Sequence, residues 1–300
     1  MATKQQTYSF LRNSIQSNND WLAACHAALL MMLDKLHDPN QQLRDPGTGS
    51  LNSSVARFLQ IILKTKYDMR AVRICREYLE RAGVGPPLDG EETRARALAH
   101  IVRPYVQEPL LDFGCGSGLT SWALQPTQLP MNFDPEAGNE PPLVPVQFDL
   151  SDGRDDRCKG FPFATNLKEV SRHAETMGKF TTLLIEVLHH TQDPAKMLRS
   201  LMPFTRRFII IEPVVDTLVS RPVQALMDWF FVRVVLQSDM DIPNTWKTGH
   251  EWHDVFEAPG LKLVHRVKIG TAFPHAYEDL RLYVVDVENG EILARQLSAA

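Results

Sequence analysis

The segment Pro109-Leu110-Leu111-Asp112-Phe113-Gly114-Cys115-Gly116-Ser117-Gly118 constrains the fold of this chain more than any other. An apolar run ends in an acid and breaks into alternating glycines, after which Leu119-Thr120-Ser121-Trp122-Ala123-Leu124 has the composition to open a helix. A buried strand that passes through a tight loop into a helix is the building unit of parallel α/β sheets. Glycines at alternate positions allow positive φ and bring backbone N–H groups close to a ligand. The unpaired N–H groups and dipole at the start of a helix favour a carboxylate or phosphate there.

Further apolar runs follow in the order an open sheet requires. Met131-Asn132-Phe133-Asp134 ends in an acid beyond the last glycine, where a second parallel strand presents a carboxylate to ribose hydroxyls. Leu143 to Asp149 repeats the pattern as a third strand, Phe180 to His190 reads as a fourth buried strand running into polar residues, and Phe208 to Pro213 as a fifth. Ligands of open α/β sheets bind beyond the carboxyl ends of the strands, so the acids at these ends converge on one crevice.

With these runs in place, the stretch from about Arg94 to Val287 resembles the class I S-adenosylmethionine-dependent methyltransferases, of the methyltransferase type 11-like kind. Asp112, Gly114, Cys115, Gly116 and Gly118 look like the first motif of that family, Asp134 like its ribose-binding acid, and Asp149 with Leu150 like the adenine-side contact. Ile185-Glu186-Val187-Leu188-His189-His190 with Asp193-Pro194 is similar to the fourth-strand motif of the small-molecule branch, which includes quinone-precursor methyltransferases. The third glycine comes one residue earlier than in the G-x-G-x-x-G of nicotinamide-binding domains. The resemblance implies S-adenosyl-L-methionine as cofactor, with Glu186 and Val187 among its contacts. It also implies an α/β fold: a Rossmann-like seven-stranded methyltransferase sheet with the last strand antiparallel, flanked by helices.

The tail fits that expectation. Leu261 to Ile269 and Leu280 to Val287 alternate with the period of half-exposed strands, and Glu251 to Glu257 reads as a short helix ended by Gly260. Residues 1–90 read as an N-terminal α-helical appendage, a lid or a dimerisation element, with helices over Tyr8–Gln16, Asp20–Leu36, Ser54–Thr65 and Met69–Arg81. The catalytic domain then spans 91–300, beginning with a helix over Glu92–Val106. An insertion at about 214–247 carries Trp229, Phe230 and Trp246, which with His250 are candidates to line an apolar acceptor site; the competing reading is an amphipathic helix packed on the core.

Composition narrows the partners. Over 300 residues the formal charge is −4 and the pI about 6.2, and no lysine or arginine run exceeds a pair, which disfavours a nucleic-acid substrate. Cys25, Cys75, Cys115 and Cys158 are widely spaced without C-x-x-C pairing, as free thiols of a reducing compartment are, and no metal ligand set is expected from them. His250 and His253 lie three apart, outside the H-E-x-x-H spacing of zinc proteases. Trp21 to Leu33 is too short to span a bilayer, so a cytoplasmic protein is expected, while the resemblance implies a small-molecule acceptor and allows a homodimer through the N-terminal appendage.

The implied reaction is in-line transfer of a methyl group from a sulfonium to oxygen or carbon. Its leaving group is already good, so the protein aligns the nucleophile, excludes water and removes a proton where the acceptor is acidic. His190 and His189, leaving the fourth strand, are the best-placed bases, and Glu212 at the end of the fifth strand could orient an acceptor hydroxyl. Each also has a plain structural role available, shaping or satisfying the loop. No Asn/Asp-Pro-Pro-Tyr or Pro-Cys follows the fourth strand, against adenine or cytosine methylation. Two alternatives stand beside small-molecule methylation: a catalytically silent scaffold or subunit of the same fold, and an RNA- or protein-directed methyltransferase.

Overall fold

The computed structural model describes residues 72–77, 88–125, 144–150, 152–215, 225, 228–235, 245–272 and 275–288. Its strands are β1 Leu110–Phe113, β2 Val146–Phe148, β3 Phe163–Ala164, β4 Phe180–Ile185, β5 Thr205–Val214, β6 Leu261–Ala272 and β7 His275–Val287. They form one seven-stranded sheet in the order β3-β2-β1-β4-β5-β7-β6. β1 to β5 are parallel, and β7 lies antiparallel between β5 and β6. This is the Rossmann-like sheet with an antiparallel last strand that the sequence implies.

Alternation along the strands divides the core between the two faces. Leu111 and Phe113 of β1, Phe208 and Ile210 of β5, and Tyr283 and Val285 of β7 pack with helices α3 (Leu167–Met177), α4 (Pro194–Leu201) and α5 (Gly249–Phe256). Leu110, Ile209, Ile211, Leu280 and Leu282 face the other way, against α1 (Leu88–Val102) and α2 (Leu119–Ala123). The helix starts follow local chemistry. Asn166 and Asp193 accept the N–H groups of Glu169 and Lys196 at the heads of α3 and α4. Thr248 and Glu251 form a capping box, which starts α5 at Gly249, before the expected Glu251. Trp252 is fully buried and donates its indole N–H to the carbonyl of Pro213 at 3.0 Å, tying α5 to the end of β5.

The structure corrects one strand assignment. The run ending in Asp149, expected third, is hydrogen-bonded directly to β1 in the register Leu111–Val146, Asp112–Gln147 and Phe113–Phe148. It therefore occupies the place expected for the run ending in Asp134, which lies outside the described residues. Its pairing starts only at Val146, because Pro145 has no N–H to give a ladder. The next strand outward, Phe163–Ala164, pairs with Gln147 and Phe148 and is too short to show a period in the sequence. Of the expected N-terminal helices, residues 72–77 of Met69–Arg81 are helical, and the other three lie outside the described residues. Among the described residues no helix is long and apolar enough to cross a membrane.

A buried polar network secures β2 beneath the glycine loop. Gln147 Nε2 donates to Gly118 O at 3.1 Å and Ser121 Oγ at 2.8 Å, while its Oε1 accepts from Arg154 Nη1 at 3.1 Å. Arg154 also donates to the carbonyls of Cys158 and Phe161, and its guanidinium lies 4.2 Å from the ring centre of Phe163. Arg154→Met keeps the stem but strands these buried acceptors, each worth about 1–3 kcal/mol. We expect a loss of roughly 2–5 kcal/mol on that basis, read as a lower urea midpoint at unchanged slope; a midpoint equal to that of the wild type would show that the network is dispensable.

Candidate active site

Three strand ends build the site. After β1, Gly114 N and Cys115 N both donate to Phe148 O, at 2.8 and 3.0 Å, and Gly118 N donates to Cys115 O at 2.7 Å. Gly114, Gly116 and Gly118 have φ of +73°, +52° and +74°, the left-handed region that only glycine enters cheaply. Gly114 and Gly118 are also confined: a Cβ would stand 2.6 Å from Val187 Cγ2 at the first and 2.5 Å from Gln147 Nε2 at the second. At Gly116 a Cβ would meet nothing within 4 Å, so this glycine faces open space.

The β2 end sits beside that opening. Asp149 Oδ2 accepts the Gly116 N–H at 3.0 Å and Oδ1 accepts the Leu150 N–H at 2.7 Å, while Leu150 itself is 84% exposed. Asp112, buried at the end of β1, is hydrogen-bonded by Ser121, but its Oδ2 has no hydrogen-bond partner. Burial, reinforced by the charge of Asp149, pushes its pKa up to about 6. Burial also raises the Cys115 thiol, which keeps it protonated and unsuited to be a thiolate nucleophile.

The β4 end carries the titratable cluster. Glu186 is the one non-glycine residue with positive φ among those described, at +54°; its carboxylate pairs with Arg94 of α1. Such a conformation costs of order 1–3 kcal/mol and persists where its surroundings impose it. Leu188–His190 then forms a 3₁₀ turn held by Glu212 of β5. Glu212 is fully buried; Oε1 accepts the N–H groups of Val187 at 2.9 Å and Leu188 at 2.6 Å, and Oε2 lies 2.7 Å from His189 Nδ1. The structural role therefore occupies both oxygens of this candidate.

Burial lowers His189 to about 4 and, together with its neighbour's charge, His190 to about 3, so both imidazoles are neutral at pH 7. With Glu212 ionised, the His189 tautomer that satisfies it carries its proton on Nδ1. Trp246 stacks on His189 with ring centres 4.4 Å apart, and Thr245 Oγ1 donates to the His189 carbonyl at 2.7 Å. The end of the insertion thus covers the histidine turn. Trp229 and Phe230 are 3% and 2% exposed, packed as core residues. His250 stands apart, with its side chain 86% exposed and 3.8 Å from Asp254.

Asp228 escaped the sequence reading. It is 95% buried, being 5% exposed, and it joins His189 and His190 in a group whose ligand atoms lie within 4.8 Å of one another. Its signal was present: it is the one acid in the apolar stretch Ala225 to Phe231. Arg94, Ser121 and Gln147 were also missed, because each acts on the site from an element whose packing no local pattern reveals.

Burial raises Asp228 to about 7, helped by the charge of Glu186, and Glu212 to about 8. A carboxyl with a raised pKa binds its proton more tightly when folded, so its stability contribution is present below the unfolded value and lost as pH rises through the folded one. The lowered histidines act oppositely, but only below about 6.5, their unfolded value. Between about pH 6.5 and 8 the two carboxyls therefore dominate, and the melting temperature is expected to fall. Asp228→Asn should flatten that decline in a pH series of thermal melts, and an equal slope in wild type and variant would remove Asp228 from it.

No protein-family model and no curated protein matches the chain. Solved structures similar to it include a magnesium protoporphyrin IX methyltransferase from Synechocystis PCC 6803 with bound SAM, at 13% identity over 81% of this chain and 99% of that one, TM-score 0.41. The CurJ carbon methyltransferase shares 15% identity over 95% of this chain and 71% of that one, TM-score 0.42. A cyclopropane-fatty-acyl-phospholipid synthase-like protein from Lactobacillus casei ATCC 334 shares 12% over 69% and 95%, TM-score 0.42. Likenesses this distant carry no argument about the chemistry of this chain.

Proposed function

We propose that this chain is an S-adenosylmethionine-dependent methyltransferase acting on oxygen or carbon of a small, apolar or aromatic acceptor. The observation that carries the reading is the cradle at Gly116: open space on a backbone turn, flanked by Asp149 on one side and by the histidine turn after β4, through the Gly114–Val187 contact, on the other. In this reading Gly114 to Gly118 lie against the methionine part, and the unpartnered Oδ2 of Asp112 accepts from its ammonium. Asp149 takes the ribose hydroxyls, the role first expected of Asp134, and exposed Leu150 offers an apolar surface to adenine. Glu186 and Val187 border the sulfonium end.

The bound cofactor supplies an electrophilic methyl group on a good leaving group. The chain's own residues hold the acceptor in line, keep water out with the buried Trp246, and accept the acceptor's proton. His190 is the better placed base, since its buried Nδ1 has no hydrogen-bond partner, whereas Nδ1 of His189 is held by Glu212. Glu212 acts through the turn, as a positioning residue.

The test is incubation with methyl-labelled cofactor and separate pools of hydroxylated aromatics, apolar ketones, RNA and protein. Label in a small aromatic or ketone pool is expected, with kcat for His190→Ala down by about 10²–10⁴. Label in RNA or protein alone, or in nothing despite cofactor binding, would overturn the acceptor class and favour the macromolecule-directed or scaffold reading respectively.

A further inference from the structure

We infer that His189, His190 and Asp228 form a binding site for one divalent first-row transition ion. The side chains come from two separate elements, the 3₁₀ turn after β4 and the helical stretch of the insertion, and their ligand atoms lie within 4.8 Å of one another. Donors at about 2.1 Å from one tetrahedral ion stand about 3.4 Å apart, so convergence needs each pair to close by no more than about 1.4 Å. Two imidazoles and a carboxylate suit zinc or iron(II) and leave coordination positions open.

Further observations point into the same space. Asp228 Oδ2 and His190 Nδ1 are both buried without a hydrogen-bond partner, which is costly for polar atoms unless a ligand takes them. Arg233, further along the same stretch, favours the charged form of Asp228 without closing that oxygen. Glu212, once ionised, fixes His189 through Nδ1 and leaves Nε2 to coordinate, the carboxylate–histidine arrangement that orients metal ligands and raises their basicity. Trp246 stacked on His189 shields that side of the turn.

On the methyltransferase reading, such an ion would select an acceptor oxygen able to coordinate it and lower its pKa, so that the proton is released to solvent on coordination and His190 serves as a ligand in place of a base. Ion binding itself does not depend on that reading. The experiment is calorimetric titration of the EDTA-stripped full chain with Zn²⁺, alongside the visible absorbance of added Co²⁺. One equivalent is expected to bind the wild type and exposed His265→Ala alike, at least ~100-fold more weakly to Asp228→Asn and His190→Ala, and about 10–100-fold more weakly to Glu212→Gln. No saturable binding, or undiminished binding by Asp228→Asn, would overturn the site. Titrating the same stripped samples with S-adenosylhomocysteine keeps the two readings apart and reports whether each variant is folded: cofactor binding without ion binding refutes only the ion.

Discussion

Gly116→Arg is expected to bind no S-adenosylhomocysteine while melting within about 8 °C of the wild type. A side chain at position 116 starts in open space, so it meets no protein atom and projects beside Asp149 into the volume assigned to the cofactor. The folding cost is confined to placing a non-glycine residue at φ +52°, about 1–2 kcal/mol. Gly118→Ala separates the two effects. Its single added carbon lies 2.5 Å from an amide of Gln147 held by Gly118, Ser121 and Arg154, so the clash is with a group that cannot swing away. That variant should lose stability and binding together. Calorimetry with a thermal melt on each protein checks both, and cofactor affinity intact in Gly116→Arg would remove the glycine loop from the binding site.

The second large effect is expected at Glu212. Glu212→Ala strips an acceptor from the N–H groups of Val187 and Leu188 and from Nδ1 of His189, all at or below 2.9 Å in the wild type. At about 1–3 kcal/mol for each orphaned group, with partial relaxation, the loss should be roughly 3–6 kcal/mol. The strained turn at Glu186 would lose its support with it. Glu212→Gln keeps an oxygen for the two backbone groups but presents only an N–H to His189, fixing the tautomer with its proton on Nε2. It should fold near wild-type stability with kcat reduced and its KM for cofactor little changed. Urea denaturation of both variants tests this: a Glu212→Ala protein as stable as the wild type would mean that the turn holds itself.

Why these elements were or were not legible follows from where their information lies. β1 is buried throughout and β4 and β5 along most of their length, and their apolar runs ending in acid or glycine are local signals. The glycine loop was legible for the same reason, since a backbone requirement is written in residue type. Asp149 was found as a ligand-facing acid but given the wrong strand, because pairing partners depend on the whole sheet and not on the run itself. β3 is set by its neighbours, with no pattern of its own. Glu212 was singled out by position, and only the fold reveals that both its oxygens serve the turn. The aromatic insertion was read as lid or core; burial of Trp229 and Phe230 places them in packing, while Trp246 reaches His189. Asp228 needed three dimensions, because its partners come from a distant turn.

The most direct test of the central claim is calorimetric titration of S-adenosylhomocysteine into the wild-type chain and into Asp149→Ala. A single site of unit stoichiometry is expected in the wild type and an affinity weaker by about 10–100-fold in the variant, the loss of one or two charge-assisted hydrogen bonds to ribose. No heat from the wild type would contradict a cofactor site altogether, and equal affinity in Asp149→Ala would contradict the placement of the ribose at the end of β2.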